Sequence, residues 1–255
     1  MKTALTIAGS DPTGGAGFQA DLRTFQSLGV YGLSVPSVLT AQNTSGVHSI
    51  HELTAEFVSE QLDVLLKDIT PDAVKTGMLY SAEIISAVAA KIKQYSLRNL
   101  VIDPVTVSST GVRLLEEKGL DVLKNSLFPL AAVVTPNIYE ASVLAGKEIR
   151  TEGDMKEAAV RLRGFGPDAV IITGGHLEGS ASDLLFDGSE FFSIGNERLE
   201  GEFQGTGCVF SSVMTACLAQ GHGVKESFIR AKEFVLRAIR DSVPIGRGMR
   251  ILKTV

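Results

Sequence analysis

Ala4-Leu5-Thr6-Ile7-Ala8 is a short apolar run that breaks into Gly9-Ser10-Asp11-Pro12-Thr13-Gly14-Gly15-Ala16-Gly17, and a helical pattern over Ala16–Leu28 follows directly. The run reads as a strand, the Gly-, Pro- and Asp-rich piece as a loop, and the 3.6-residue periodicity as a helix. The same alternation recurs along the chain. Further strands are expected at Ser34–Thr40, Ala73–Thr76, Leu100–Asp103, Ala132–Thr135 and Ala169–Thr173. Between them lie helical patterns at Ala55–Lys67, Ala82–Gln94, Gly119–Ser126, Tyr139–Leu144 and Asp154–Arg163. This order predicts βαβ units, hence a mainly parallel sheet with helices on both faces. Ser182–Phe186 and Glu190–Ile194, joined by Asp187-Gly188-Ser189, read instead as a hairpin. Helices at Thr206–Gln220 and Val224–Asp241 close the chain. No Pro/Ser linker or repeat divides residues 1–255, so an α/β fold in one domain is expected.

At 255 residues, with 44% hydrophobic and 21% charged residues, the chain can bury a sizeable core and is not disordered. A net charge of −5 gives no general affinity for nucleic acid or an anionic membrane, so a polyanionic small ligand must be held by local geometry. Cys208 and Cys217 lie about 13.5 Å apart along a helix, too far for a disulfide. Two cysteines assemble no zinc cluster either, and free thiols suit a reducing, cytoplasmic setting. The N-terminal run stops at Gly9, too short for a leader or a membrane span.

In open α/β sheets ligands bind beyond the carboxyl ends of the strands. Gly9–Gly17, Gln42-Asn43-Thr44, Lys75-Thr76-Gly77-Met78 and Asp103-Pro104-Val105 would therefore line one crevice. The first loop lacks the G-x-G-x-x-G spacing of a dinucleotide site, and no Gly-Lys-Ser/Thr P-loop occurs. Gln204-Gly205-Thr206-Gly207-Cys208-Val209-Phe210-Ser211-Ser212 is a Gly-containing loop running into an apolar helix. Unpaired amides and the positive helix end favour an anion there, and the same field would lower a thiol pKa at Cys208. A buried cysteine as a small apolar residue is the plainer alternative. Thr135-Pro136-Asn137-Ile138-Tyr139-Glu140 puts an amide and a carboxylate on one face of a helix start. Their oxygens suit a hydrated Mg²⁺, and the spacing equally suits a capping box.

Taken together, Ala4–Leu22, Thr40–Thr44, Lys75–Leu79, Thr135–Asn137, Gly174-Gly175-His176-Leu177 and Gly205–Cys208 resemble the hydroxymethylpyrimidine/phosphomethylpyrimidine kinases of thiamine biosynthesis. The resemblance runs in order from about residue 4 to 220. It implies a ribokinase-like fold with no large separate lid, and ATP- and Mg²⁺-dependent phosphorylation of 4-amino-5-hydroxymethyl-2-methylpyrimidine and its monophosphate. Some relatives take pyridoxal instead. By the same resemblance Gly9, Asp11, Ala16, Gln42, Met78 and Val105 face the pyrimidine. Asn137, Glu140, Thr173 and Gly175 lie on the nucleotide side, with Asn137 and Glu140 holding Mg²⁺ through water. Gly205, Thr206 and Gly207 form the anion hole, and Cys208 accepts the hydroxyl proton, for which a pKa near neutrality is expected. A homodimer is implied.

Three positions depart from the family pattern. Ser109 and Thr173 stand where lysines are usual, and Gln204 where histidine is. The lost positive charges bear on the second phosphorylation, and a binding protein without turnover is the alternative they raise. Loop closure is expected at Ser108–Arg113 or near Asp187. Asp21 is expected to be structural, Cys217 core, and His48 and His51 surface residues. His176 has the lesser claim to a ligand role, and the role of Lys75 is open.

Overall fold

The computed structural model describes residues 1–108, 111–174, 181–196 and 199–254. The chain opens with β1 (Thr3–Ala8), α1 (Gly17–Ser27), β2 (Tyr31–Pro36), β3 (Val38–Asn43), β4 (Gly46–Glu52), α2 (Ala55–Leu66), β5 (Ala73–Thr76) and α3 (Ala82–Gln94). It continues through β6 (Leu100–Ile102), α4 (Glu117–Val122), β7 (Val133–Val134), α5 (Ile138–Ala145), α6 (Glu152–Arg163) and β8 (Ala169–Ile172). The last elements are β9 (Ala181–Phe186), β10 (Phe191–Asn196), β11 (Phe203–Gln204), α7 (Thr206–Ala219), α8 (Val224–Arg240) and β12 (Arg250–Ile251).

The main sheet has the order β10-β9-β8-β7-β6-β5-β1-β2. All neighbours from β2 to β8 are parallel, and β9 and β10 add an antiparallel edge. Strand periodicity divides the buried residues into two cores. Leu5, Ile7, Val170 and Ile172 join one core with side chains of α2, α3, α5 and α6. Ala4, Ala73, Ala169 and Ile171 join the other with α7 and α8. From Val209 to Ala219 every residue of α7 is buried, as in a helix enclosed on all sides. Only its first turn reaches the surface.

Two findings differ from the expected elements. The strand expected at Ser34–Thr40 is two strands, and the second, β3, pairs antiparallel with β4 in a small separate sheet. The segment Gln42-Asn43 therefore lies inside β3, and the exposed His48 and His51 lie on β4. Thr44-Ser45-Gly46 at its tip carries the turn chemistry of a hairpin. The helix expected at Gly119–Ser126 is shorter, because α4 widens into a π-type turn over Leu123–Leu127 before Pro129.

Candidate active site

The sheet reverses its winding between β1 and β5, since the chain passes from β1 to β2 on one side and returns to β5 on the other. The loops beyond these two strands meet there, as the switch-point rule requires. A Cβ on Gly9 would lie 3.3 Å from the sulfur of Met78. Met78 in turn packs with Val38, Leu114 and Val105 in a small apolar cluster under the β3–β4 hairpin. Val105 holds a φ of 34°, in the left-handed region that a β-branched residue enters only under strain. The hairpin is tied down by Thr40, whose N–H donates to Ser10 Oγ and whose hydroxyl donates to the Ser10 carbonyl, both at 2.9 Å. Gln42, half-buried two residues on, is thereby brought over the first loop.

Asp11 builds that loop. Its carboxylate, 1% exposed, accepts from the Thr13 N–H at 2.9 Å, the Ala16 N–H at 2.7 Å and Gln204 Nε2 at 2.7 Å. These donors hold the Asp11 carboxylate, which thereby fixes the shape of the first loop. Gln204 thus ties the first loop to the residues that open α7.

Gly205 is the N-cap of α7 at φ 82°, and a Cβ there would lie 1.9 Å from the Gly15 carbonyl oxygen. Only glycine fits both the dihedral and the space. No side chain caps this end of the helix. The amides of Thr206, Gly207 and Cys208 therefore lack intrahelical acceptors and project with the helix dipole behind them. Gly207 is exposed, and Cys208 is half-buried, its sulfur accepting from the Gly17 N–H.

The near-neutral thiol expected at Cys208 is corrected by the structure: burial pushes it up to about 12. The ammonium of Lys75 and the Gly17 N–H oppose that rise, while Asp103 and Asp21 add to it. The helix end alone does not outweigh the burial.

Sequence reasoning missed the buried charges beneath this turn. Lys75 and Asp21, both fully buried, are paired at 2.6 Å. Asp103, 5% exposed, lies 2.9 Å from Ser211 Oγ, and a Cβ on Gly207 would sit 3.9 Å from its Oδ2. Burial raises the Asp103 carboxyl above the ordinary carboxylate range despite the opposing charge of Lys75. The available signal was a lysine inside the otherwise apolar run Ala73-Val74-Lys75.

Asn137 and Glu140 form a capping box at the start of α5. Asn137 Oδ1 accepts from the Glu140 N–H, and Glu140 Oε2 from the Asn137 N–H, both at 3.0 Å. Glu140 Oε1 accepts from the Thr106 N–H at 3.1 Å, linking α5 to the loop after β6. Burial, then the nearby charge of Asp103, pushes Glu140 up to about 8. Thr173 bridges to Asn137 across the strand ends. Gly175, His176 and Ser109 lie outside the described residues. Among the described residues no three or more His, Cys, Asp or Glu side chains cluster for a metal. Each Glu140 oxygen keeps a lone pair, and the buried Thr106 Oγ1 beside it has no partner among the described residues. That donor set fits a hydrated Mg²⁺, which retains several of its waters.

None of the described helices is long and apolar enough to cross a membrane. The chain matches the phosphomethylpyrimidine kinase family model over residues 11–253. It is 50% identical to the thiamine biosynthesis bifunctional protein ThiED of Geobacter sulfurreducens over 248 residues, 96% of this chain and 51% of that protein. It is 44% identical to the hydroxymethylpyrimidine/phosphomethylpyrimidine kinase of Bacillus subtilis, covering 96% of this chain and 92% of that one. The chain thus spans about half the length of the bifunctional relative and nearly all of the single-function one. Among solved structures, an ADP complex of Bacillus subtilis pyridoxal kinase superposes with a TM-score of 0.92 at 41% identity, covering 100% of this chain and 97% of that one. The ribokinase-like sheet expected from the sequence is the one observed. With a family model covering nearly its whole length, this chain belongs to the phosphomethylpyrimidine kinase family.

Proposed function

We propose that the chain, as one kinase domain, transfers the γ-phosphoryl group of ATP to the hydroxymethyl oxygen of 4-amino-5-hydroxymethyl-2-methylpyrimidine, and then to the resulting monophosphate. One observation carries this reading: the start of α7, whose N-cap Gly205 offers its amides no side-chain cap, lies against the Gly9–Gly17 loop, whose Gly9 packs on Met78. Met78 and Val105 offer the ring apolar walls, and the Gln42 amide offers a donor and an acceptor to its edge. The hydroxymethyl oxygen attacks the γ-phosphorus in line, the bond to the ADP oxygen breaks, and the hydroxyl proton is taken by the thiolate form of Cys208, the minor form at neutral pH because burial raises the thiol. The Thr206–Cys208 amides stabilise the charge developing on the transferred oxygens. Mg²⁺, when bound, neutralises nucleotide phosphate charge; Asn137 and Glu140 would hold it through water. A homodimer in the cytoplasm belongs to the same reading, and light scattering tests the assembly.

The likeness to a pyridoxal kinase favours pyridoxal as the second reading of the acceptor. ADP release by the purified protein with Mg²⁺-ATP, offering the pyrimidine alcohol, its monophosphate and pyridoxal separately, decides between them. The proposal expects the pyrimidine alcohol to have the highest kcat/KM. Preference for pyridoxal would replace the substrate, and tight binding with no ADP from any acceptor would make this a binding protein.

A further inference from the structure

Strand alternation sends Thr6 of β1 and Lys75 of β5 to the face that α7 covers, and the two are direct partners in the parallel register. Asp21 of α1 meets them there. Its carboxylate accepts from Lys75 Nζ at 2.6 Å, Thr6 Oγ1 at 2.6 Å and Ser212 Oγ at 2.7 Å. All four residues are fully buried. Ser212 lies one helical turn after Cys208, on the same side of α7. The ammonium is therefore anchored beneath the face that carries the thiol, near the strand ends, where a Cβ on Gly77 would lie 3.6 Å from Nζ.

We propose that Lys75 is a positioning residue for the phosphoryl transfer: its buried ammonium, fixed beneath the first turn of α7, favours the charged form of Cys208 and so sets how readily the base takes the hydroxyl proton. The inference rests on the reading of Cys208 as that base. Among the described residues, the groups that act on the thiol are Lys75 from β5, Asp21 and the Gly17 N–H from α1, and Asp103 from the loop after β6. α7 itself contributes no Asp, Glu, Lys or Arg. Lys75 is the one cation among these groups, and it acts on the thiol more strongly than either carboxylate. Burial works against the charged ammonium. The charges of Asp21, Cys208 and Asp103 outweigh burial and hold Lys75 above its ordinary value, so it stays a fixed positive charge. A buried ion pair is weak evidence for a stabilising role, since apolar replacements of such pairs are often neutral. An electrostatic task on the neighbouring thiol accounts for its placement better.

The test measures the rate of Cys208 alkylation by iodoacetamide at one fixed alkaline pH, in the full chain carrying Cys217→Ala. The wild-type pair is compared with Lys75→Gln and with the double variant Lys75→Met, Asp21→Asn, which leaves no unpaired charge should the single variant fail to fold. Each unit of pKa rise removes about tenfold of thiolate while greater nucleophilicity returns about threefold, so alkylation should slow about threefold or more. The acidic, ascending limb of the kcat/KM profile, which reports the base, should move to higher pH with it. An unchanged or faster alkylation rate in a folded variant overturns the proposal. Full activity of Cys208→Ala would overturn the base reading instead, and the alkylation comparison would still judge Lys75.

Discussion

Two helices, α5 and α7, point their N-termini toward the crevice at the sheet's carboxyl edge, and they end in opposite ways. The start of α5 is filled by its own residues: Asn137 and Glu140 satisfy each other's amides, and Glu140 also takes the Thr106 amide. The start of α7 has no side-chain cap and no acidic residue in its first turn, and it is lined by Gly205, Thr206 and Gly207. Asn137 at a cap is worth about 1 kcal/mol to its helix. At α7 that stabilisation is forgone, and bare amides are presented at the place proposed for the phosphoryl charge. The capped end of α5 positions a carboxylate; the uncapped end of α7 leaves its amides open to an anion.

Three substitutions would sharpen or break this contrast. The largest effect is expected from Gly205→Ala, which drives a methyl group into the Gly15 carbonyl and displaces the first turn of α7. By analogy with loss of an oxyanion donor, kcat should fall about 10²- to 10³-fold while the circular dichroism spectrum is retained. Wild-type kcat in this variant would mean that the α7 amides are not the phosphoryl site.

A smaller, pH-dependent effect is expected at the capped end. Glu140 sits at about 8 in the folded protein against an ordinary 4.5, so the folded state holds its proton more tightly than the unfolded chain does. Stability of the metal-free protein should therefore fall as pH rises through that window. Glu140→Gln, which cannot ionise, should flatten part of the fall, the rest belonging to the raised carboxyl of Asp103. Denaturation midpoints across the window read the slope, and an identical slope in the variant would refute the burial effect.

The smallest effect is expected from Asn137→Ala. It should cost about 1 kcal/mol of stability through the lost cap. Mg²⁺ dependence should weaken as well if the side chain helps hold the hydrated ion. Calorimetry and a Mg²⁺ titration of ADP release separate these two consequences.

Much of this arrangement was legible in the sequence because it is local. The β5 and α3 boundaries match the expected ones, and the edge hairpin of β9 and β10 follows from Asp187-Gly188-Ser189. Asn137 and Glu140 could be read as either metal ligands or a capping box, and the hydrogen bonds show the box is made. What escaped was long-range. Lys75 and Asp21 are 54 residues apart, and Asp21 and Ser212 are 191 apart. Only the sheet order brings them under Cys208. The tie between Asp11 and Gln204 spans 193 residues and was hidden for the same reason. The thiol was misjudged because a helix end is a local feature, whereas burial is a property of the assembled fold. The β3–β4 pair was missed because its polar, exposed positions resemble a loop until the alternation of Val38, Thr40 and Gln42 is seen against the first loop.

Cys208, in the first turn of α7, is the proposed proton acceptor. The measurement that bears on it most directly is kcat for ADP release at saturating pyrimidine alcohol and Mg²⁺-ATP, wild type against Cys208→Ala. Loss of a general base predicts a fall of about 10²- to 10⁴-fold with nucleotide affinity unchanged. A variant that turns over at the wild-type rate would contradict the account and move the proton acceptor elsewhere in the crevice.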